Sequence, residues 1–105
     1  MRKIKFRAWH FGRKKMYKDV AFKNKKGFEL MQFTGLIDRY GQEIYEGDIL
    51  RCSNKILTIH FRETAFYLSE DLHGTHVAYH LFTNWNLTSM LEVIGNIYEN
   101  SDLIK

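Results

Sequence analysis

The chain has 105 residues, 45% hydrophobic and 27% charged, a balance that excludes wholesale disorder and collagen-like repeats and suits a single globular unit. No apolar run approaches about 18 residues, which argues against a membrane-spanning helix. The charged start Met1-Arg2-Lys3-Ile4-Lys5 reads against a secretory signal, and the lone Cys52 fits a reducing cytoplasm. The formal net charge is +4, and 8 Phe, 6 Tyr and 2 Trp supply bulk for a small core.

Lys3–Trp9 alternates, with Ile4, Phe6 and Ala8 on one face and Lys3, Lys5 and Arg7 on the other, which predicts a half-buried strand. Gly12–Lys15 is a polar turn. Met16–Phe22 reads as a second strand, Asn24–Gly27 as a turn, and Phe28–Thr34 as a third strand. Asp38-Arg39-Tyr40-Gly41 carries Asp and Gly where a type I turn prefers them, and Glu46-Gly47-Asp48 is a second tight turn. Ile44 and Tyr45 between them supply apolar bulk. Short strands then follow at even spacing: Ile49–Cys52, Ile56–Arg62, Phe66–Ser69, Val77–Phe82 and Glu92–Tyr98, with turns at Ser53–Lys55 and Glu70–Thr75. Leu87–Leu91 is expected to form one helical turn, capped by Asn86 or Thr88, and Asn100–Ile104 a short turn or frayed tail. So many short strands predict a mainly β fold, a small antiparallel barrel or sandwich.

The charge is unevenly placed. Residues 1–26 hold eleven basic side chains and one acid, a net +10, whereas residues 27–105 hold five basic and eleven acidic, a net −6. Such polarity serves contact with an anionic polymer, or contact between the basic part of one copy and the acidic part of another. A solvated, Lys-rich surface explains it equally well.

Four stretches together resemble the YopX family of small phage and prophage proteins. They are Lys3-Ile4-Lys5-Phe6-Arg7-Ala8-Trp9, Lys15-Met16-Tyr17, Leu30–Asp38 with Gly41–Leu50, and Glu92-Val93-Ile94-Gly95-Asn96-Ile97-Tyr98-Glu99-Asn100. Ser101 stands where the family often has proline, and Arg51–Ser89 carries no specific likeness. Nothing in the chain reads as an interdomain linker, so a single domain over 1–105 is expected, with a subdivision into a basic β part (1–45) and a second part (46–105) where charge sign and strand rhythm change. The resemblance implies that the compact β fold includes a small SH3-like barrel. It also implies a phage or prophage origin, self-association and a bacterial cytoplasm as workplace. It implies no activity and no cofactor.

The signature residues have structural explanations. Gly35, Gly41, Gly47 and Gly95 suit positive φ or close strand approach. Asp38 and Asp48 suit turn amides, and Trp9, Phe33, Tyr45 and Tyr98 suit a core or interface. A lesser reading joins Glu43, Glu46 and Asp48 as a carboxylate cluster for acid–base work or a hard cation. His73, His76 and His80, with Asp71 nearby, offer nitrogen ligands, but their spacing matches no zinc motif, so solvated histidines are the simpler reading. His10 and His60 are expected on the surface or a strand face, and Cys52 as an inert thiol. No Gly-x-Ser-x-Gly, His-Glu-x-x-His or phosphate-loop motif is present, so no small-molecule substrate is implied.

Two functional expectations remain. The first is a non-enzymatic homo-oligomeric interaction module. The second is a DNA- or RNA-binding accessory protein using Lys3, Lys5, Arg7, Arg13, Lys14 and Lys15 on phosphates, with Trp9, Phe11 and Tyr17 interleaved to stack on bases.

Overall fold

Alternating and β-branched residues broken by glycine turns give short antiparallel strands. The computed structural model describes residues 4–20, 26–53, 55–62, 65–72, 75–80 and 90–104. Among these, the strands are β1 (Phe6–His10), β2 (Lys15–Val20), β3 (Phe28–Ile37), β4 (Glu43–Tyr45), β5 (Asp48–Cys52), β6 (Lys55–Arg62), β7 (Ala65–Leu72), β8 (Thr75–His80) and β9 (Glu92–Asn96), with a 3-10 turn at Ser101–Ile104. They form two antiparallel sheets, ordered β2-β1-β3-β4 and β8-β7-β6-β5-β9, the second curled into a half-barrel. The mainly β architecture expected from the strand rhythm is therefore what the chain adopts. Among the described residues no helix is long and apolar enough to cross a membrane.

Differences from the sequence-based expectation lie at element ends and in one added strand. Strand β3 runs ten residues, to Ile37 rather than Thr34, because Gly35 (φ 88°) lets it bend and continue. The Ile44–Tyr45 bulk is strand β4, paired with β3 through Phe33 opposite Tyr45. Strand β7 reaches Leu72 through Glu70 and Asp71, which the pattern assigned to a turn; both pair with β8. Several expectations fall partly outside the described residues: the ends of the strands at Phe22 and Phe82, the turns containing Asn24 and Asn54, and the helical turn at Leu87–Leu91.

The main core joins the sheets. Ile44 from β4 packs with Leu50, Leu57, Ile59, Leu68 and Leu91, all buried, and Leu36, Phe61 and Val93 close around them. Full burial of an Ile or Leu side chain contributes roughly 1.5–3 kcal/mol. The sheets change over at Glu46-Gly47. Gly47 has φ +87°, donates its N–H to Ile59 O (2.9 Å) and accepts from Ile97 N (2.9 Å). A β-carbon there would lie 3.0 Å from Met31 Sδ, so backbone conformation and packing both select glycine.

Strand β1 departs from the simple two-face pattern. Ala8 on one face and Arg7 and Trp9 on neighbouring positions are all at most 6% exposed. Arg7 and Trp9 share one face of this central strand, and Asp48 of the second sheet and the stacked Tyr98 ring cover it, so that face is closed to solvent. The expectation that Arg7 shares a solvated face with Lys5 is therefore overturned: Arg7 points into the joint between the sheets.

Candidate functional site

The motif residues meet at that joint. Arg7 Nη2 donates to Asp48 Oδ1 at 2.7 Å and to Glu46 O at 3.2 Å, and its guanidinium lies 4.8 Å from the Tyr45 ring centroid. Asp48 Oδ2 accepts Tyr45 N at 2.7 Å. The two side chains are only 7% and 2% exposed. Burial pushes the Asp48 carboxyl above its ordinary range, against the pull of Arg7. Arg7 Nε has no protein partner among the described residues, so the guanidinium is partly unsatisfied. The pair ties β1 of one sheet to the turn that opens the other.

Asp38 performs a second closure. Its Oδ1 accepts Tyr40 N (2.9 Å) and Gln42 N (2.8 Å), and Oδ2 accepts Val93 N (2.9 Å) from β9, 55 residues away. Burial alone would raise its pKa, but the Val93, Gln42 and Tyr40 amides together hold it below the usual range. Gly41 N bonds Asp38 O at 3.1 Å, which closes the turn read from the sequence.

The C-terminal motif closes on itself. Asn96 Oδ1 accepts Tyr98 N (3.0 Å) and Glu99 N (2.9 Å), and Asn100 Oδ1 accepts Asn96 N (3.1 Å). A β-carbon on Gly95 would sit 2.5 Å from Asn100 Oδ1 and 2.8 Å from its Cβ. Gly95→Ala therefore displaces Asn100 and strands the Asn96 amide. The expected loss is about 1–3 kcal/mol in urea unfolding, and a change under about 0.5 kcal/mol would show that the turn relaxes freely.

Beside the joint, a cleft of about 180 Å³ opens between the sheets. Leu30 and Met31 of β3, Ile59 of β6 and Ile97 form apolar walls, while Glu29, Glu46 and Tyr98 bring polar atoms. Burial, then the neighbouring Glu29 charge, pushes the Glu46 carboxyl up, although Gln32 N donates to Glu46 Oε1 at 3.3 Å. Tyr98 is also raised, by burial and then by Glu29 and Glu46. Its ring stacks on Trp9 (centroids 5.6 Å apart, planes at 15°) and takes the edge of Phe11 at 5.8 Å. Nearby, a His60 ring nitrogen bonds Ser69 Oγ at 2.7 Å.

A family model described as YopX protein matches residues 20–105. The chain belongs to the YopX family. This YopX-family chain is also similar to the crystal structure of protein EF1440 from Enterococcus faecalis, with 24% identity over 100% of both chains and a TM-score of 0.77, a likeness of fold. No curated protein matches it.

In this YopX-family chain the proposed phosphate-binding residues are dispersed. Lys3 lies outside the described residues. Lys5 pairs with Glu43, which also accepts from Tyr45 Oη, and Lys5 sits 4.9 Å from the Phe33 ring centroid. Arg7 is buried. Arg13, Lys14 and Lys15 stay together and exposed on the β1–β2 turn, with Lys18 exposed beyond them. Arg13 donates to Tyr17 Oη (3.0 Å) and Lys15 lies over the Tyr17 ring at 5.4 Å. Of the interleaved aromatics, Trp9 is buried and Phe11 is half exposed.

The carboxylate cluster does not converge either: Glu43 turns to Lys5, Asp48 to Arg7, and Glu46 to the cleft. No group of three His, Cys, Asp or Glu poised for a metal occurs among the described residues. His73 is outside them. His76 and His80 lie four register positions apart on β8, opposite Asp71 and Tyr67, and their side chains are outside the described set. His10 accepts Arg13 N at Nδ1 (2.9 Å), which fixes the turn, and Cys52 is a half-buried free thiol at the end of β5. Sequence reasoning missed the cleft, since Glu29, Glu46 and Tyr98 come from three separate segments with no motif spacing to link them.

Proposed function

We propose that this protein is a non-enzymatic, self-associating interaction module, encoded by a phage or prophage and working in the host cytoplasm. The observation that carries the reading is the internal use of the motif's polar groups. Arg7 and Asp48 neutralise one another, Asp38 is spent on three backbone amides, and Asn96 and Asn100 cap their own turn. Residues engaged in this way build a scaffold and leave little to act on a substrate. Self-association draws support from the large apolar side chains left in solvent: Ile4 is 72% exposed, Tyr40 69%, and Phe11, Ile37 and Met90 just over half. The charge split between residues 1–26 and the remainder supplies complementary surfaces. Light scattering after size exclusion tests it. A mass above 12.6 kDa at high micromolar concentration is expected, and a strict monomer would refute the reading.

A second reading, nucleic-acid binding, keeps one observation in its favour. Arg13, Lys14, Lys15 and Lys18 are all exposed around a single hairpin, with Phe11 beside them. With Arg7 buried and Lys5 paired, the hairpin supports phosphate contact without base readout. Gel shifts that weaken steeply with salt would favour it, and no shift at low salt would end it.

A further inference from the structure

Three features of the hairpin and the cleft fit together. The first is Lys14, the last residue of the β1–β2 turn, with φ +52°, a left-handed conformation that an L side chain adopts only at a cost. Glycine or asparagine would be the ordinary occupant there. Its neighbours Arg13 and Lys15 are both held against Tyr17, whereas Lys14 is exposed and has no hydrogen-bond or ion-pair partner among the described residues. The turn thus projects one unengaged ammonium on a flexible aliphatic stem.

The second feature is the shape and chemistry of the cleft. At about 180 Å³ it is smaller than the roughly 300–1,000 Å³ of pockets that take drug-sized ligands, so its scale is that of a single side chain. Apolar walls suit a methylene stem, and the two carboxylates at the rim suit a cation. Glu46 is half-buried beside the like charge of Glu29, and Arg7, whose charge partly offsets that repulsion, gives its hydrogen bonds to Asp48 and the Glu46 carbonyl, so neither rim carboxylate receives a hydrogen bond from a cation among the described residues.

The third feature is placement. Tyr98, which lines the cleft, receives the edge of Phe11 from the β1–β2 turn. Donor turn and acceptor cleft therefore lie side by side on one part of the molecule. Two adjacent complementary patches can be exchanged between two copies about a two-fold axis, which closes the assembly at a dimer.

We propose that the cleft beside Tyr98 receives the Lys14 side chain of a second copy of this chain, its ammonium seated between Glu29 and Glu46, in a reciprocal exchange. This rests on the self-association reading and names its surface. Lys14→Gly removes the ammonium and relieves the positive-φ residue, so its melting temperature is expected to equal or exceed that of the wild type while dimer affinity falls about tenfold or more. That combination separates a lost contact from a damaged fold.

Charge reversal completes the test. Lys14→Glu and the exposed-site variant Glu29→Lys are each expected to elute as monomers, because each places like charges together in the exchange. Mixed in equal amounts they are expected to restore a dimer of about twice 12.6 kDa, since one exchange site is then wild type and the other sets the new acid at position 14 against the new base at position 29. Wild-type dimers with all three variants dimerising equally would overturn the cleft as the seat while leaving self-association standing. A wild-type monomer would overturn both, even if the cleft bound an added lysine peptide.

Discussion

Arg7→Met is expected to lower the unfolding free energy by about 3–5 kcal/mol, the usual cost of removing one partner from a buried ion pair. The methionine stem can still pack on Tyr45, so the loss reports mainly the stranded Asp48 carboxylate, whose side chain is 2% exposed. Asp48→Asn in the same background keeps an oxygen for Tyr45 N and removes the charge. Arg7→Met/Asp48→Asn is therefore expected to recover more than half of the loss, a coupling of at least about 1.5–2.5 kcal/mol in a double-mutant cycle. The single variant also has a pH signature. With Arg7 gone, burial drives the folded pKa of Asp48 further above its unfolded value of about 3.9. A carboxyl raised in this way contributes stability that is present below the unfolded pKa and lost as pH rises through the folded one. The deficit relative to wild type should thus be greatest near neutrality and shrink toward pH 4. Urea unfolding at several pH values measures it, and a deficit below about 1 kcal/mol at pH 7 would mean that water reaches the pair.

Asp38→Ala is the second large effect, at about 2–4 kcal/mol, because it strips three backbone amides of a charged acceptor at once. Asp38→Asn should fall between Ala and wild type. Its amide oxygen can serve the Tyr40 and Gln42 amides, but its NH2 then faces Val93 N–H, donor to donor. The sign of the pH dependence is opposite to that of Asp48. The amides hold the folded pKa of Asp38 below the ordinary carboxylate range. Its contribution is present above the unfolded pKa of about 3.9 and disappears as pH falls through the lowered folded value. The gap between wild type and Asp38→Ala should hold from pH 7 to 5 and close on further acidification. Equal stability of the two proteins at pH 7 would sink the claim that this turn clamps β9 to the β3–β4 connection.

Both predictions treat the family motif as a set of fasteners. Arg7–Asp48 joins the sheets at the point where they change over, Asp38 joins the β3–β4 connection to β9, and the Asn96–Asn100 turn closes the chain beyond β9. The first two contacts are local at one end and long-range at the other, and the third is local throughout. That is a reason for such a motif to be spread over the whole chain length rather than gathered in one segment, as a catalytic loop can be.

What was legible in advance follows from the range of the interactions involved. Period-two alternation, glycine-bearing turns and the Asp-to-amide geometry are set by neighbours within a few residues, so every strand but β4, the Asp38–Gly41 turn and the conformation of Gly47 could be read from residue order. The family motif is likewise made of four short stretches, each contiguous, so its likeness is legible without coordinates. The side on which a charged residue lies is different. Arg7 alternates as a surface residue would, yet it is buried because β1 is interior to its sheet and Asp48, 41 residues on, waits opposite it. Lys5 and Arg7 lost their place in a solvated strip for the same reason. The cleft needed Glu29, Glu46 and Tyr98 to be brought together by packing of two sheets. Local order thus determined strands, turns and kinship. Only the tertiary structure decided which charges are spent and which stay available, because pairing and desolvation depend on partners far away in the chain.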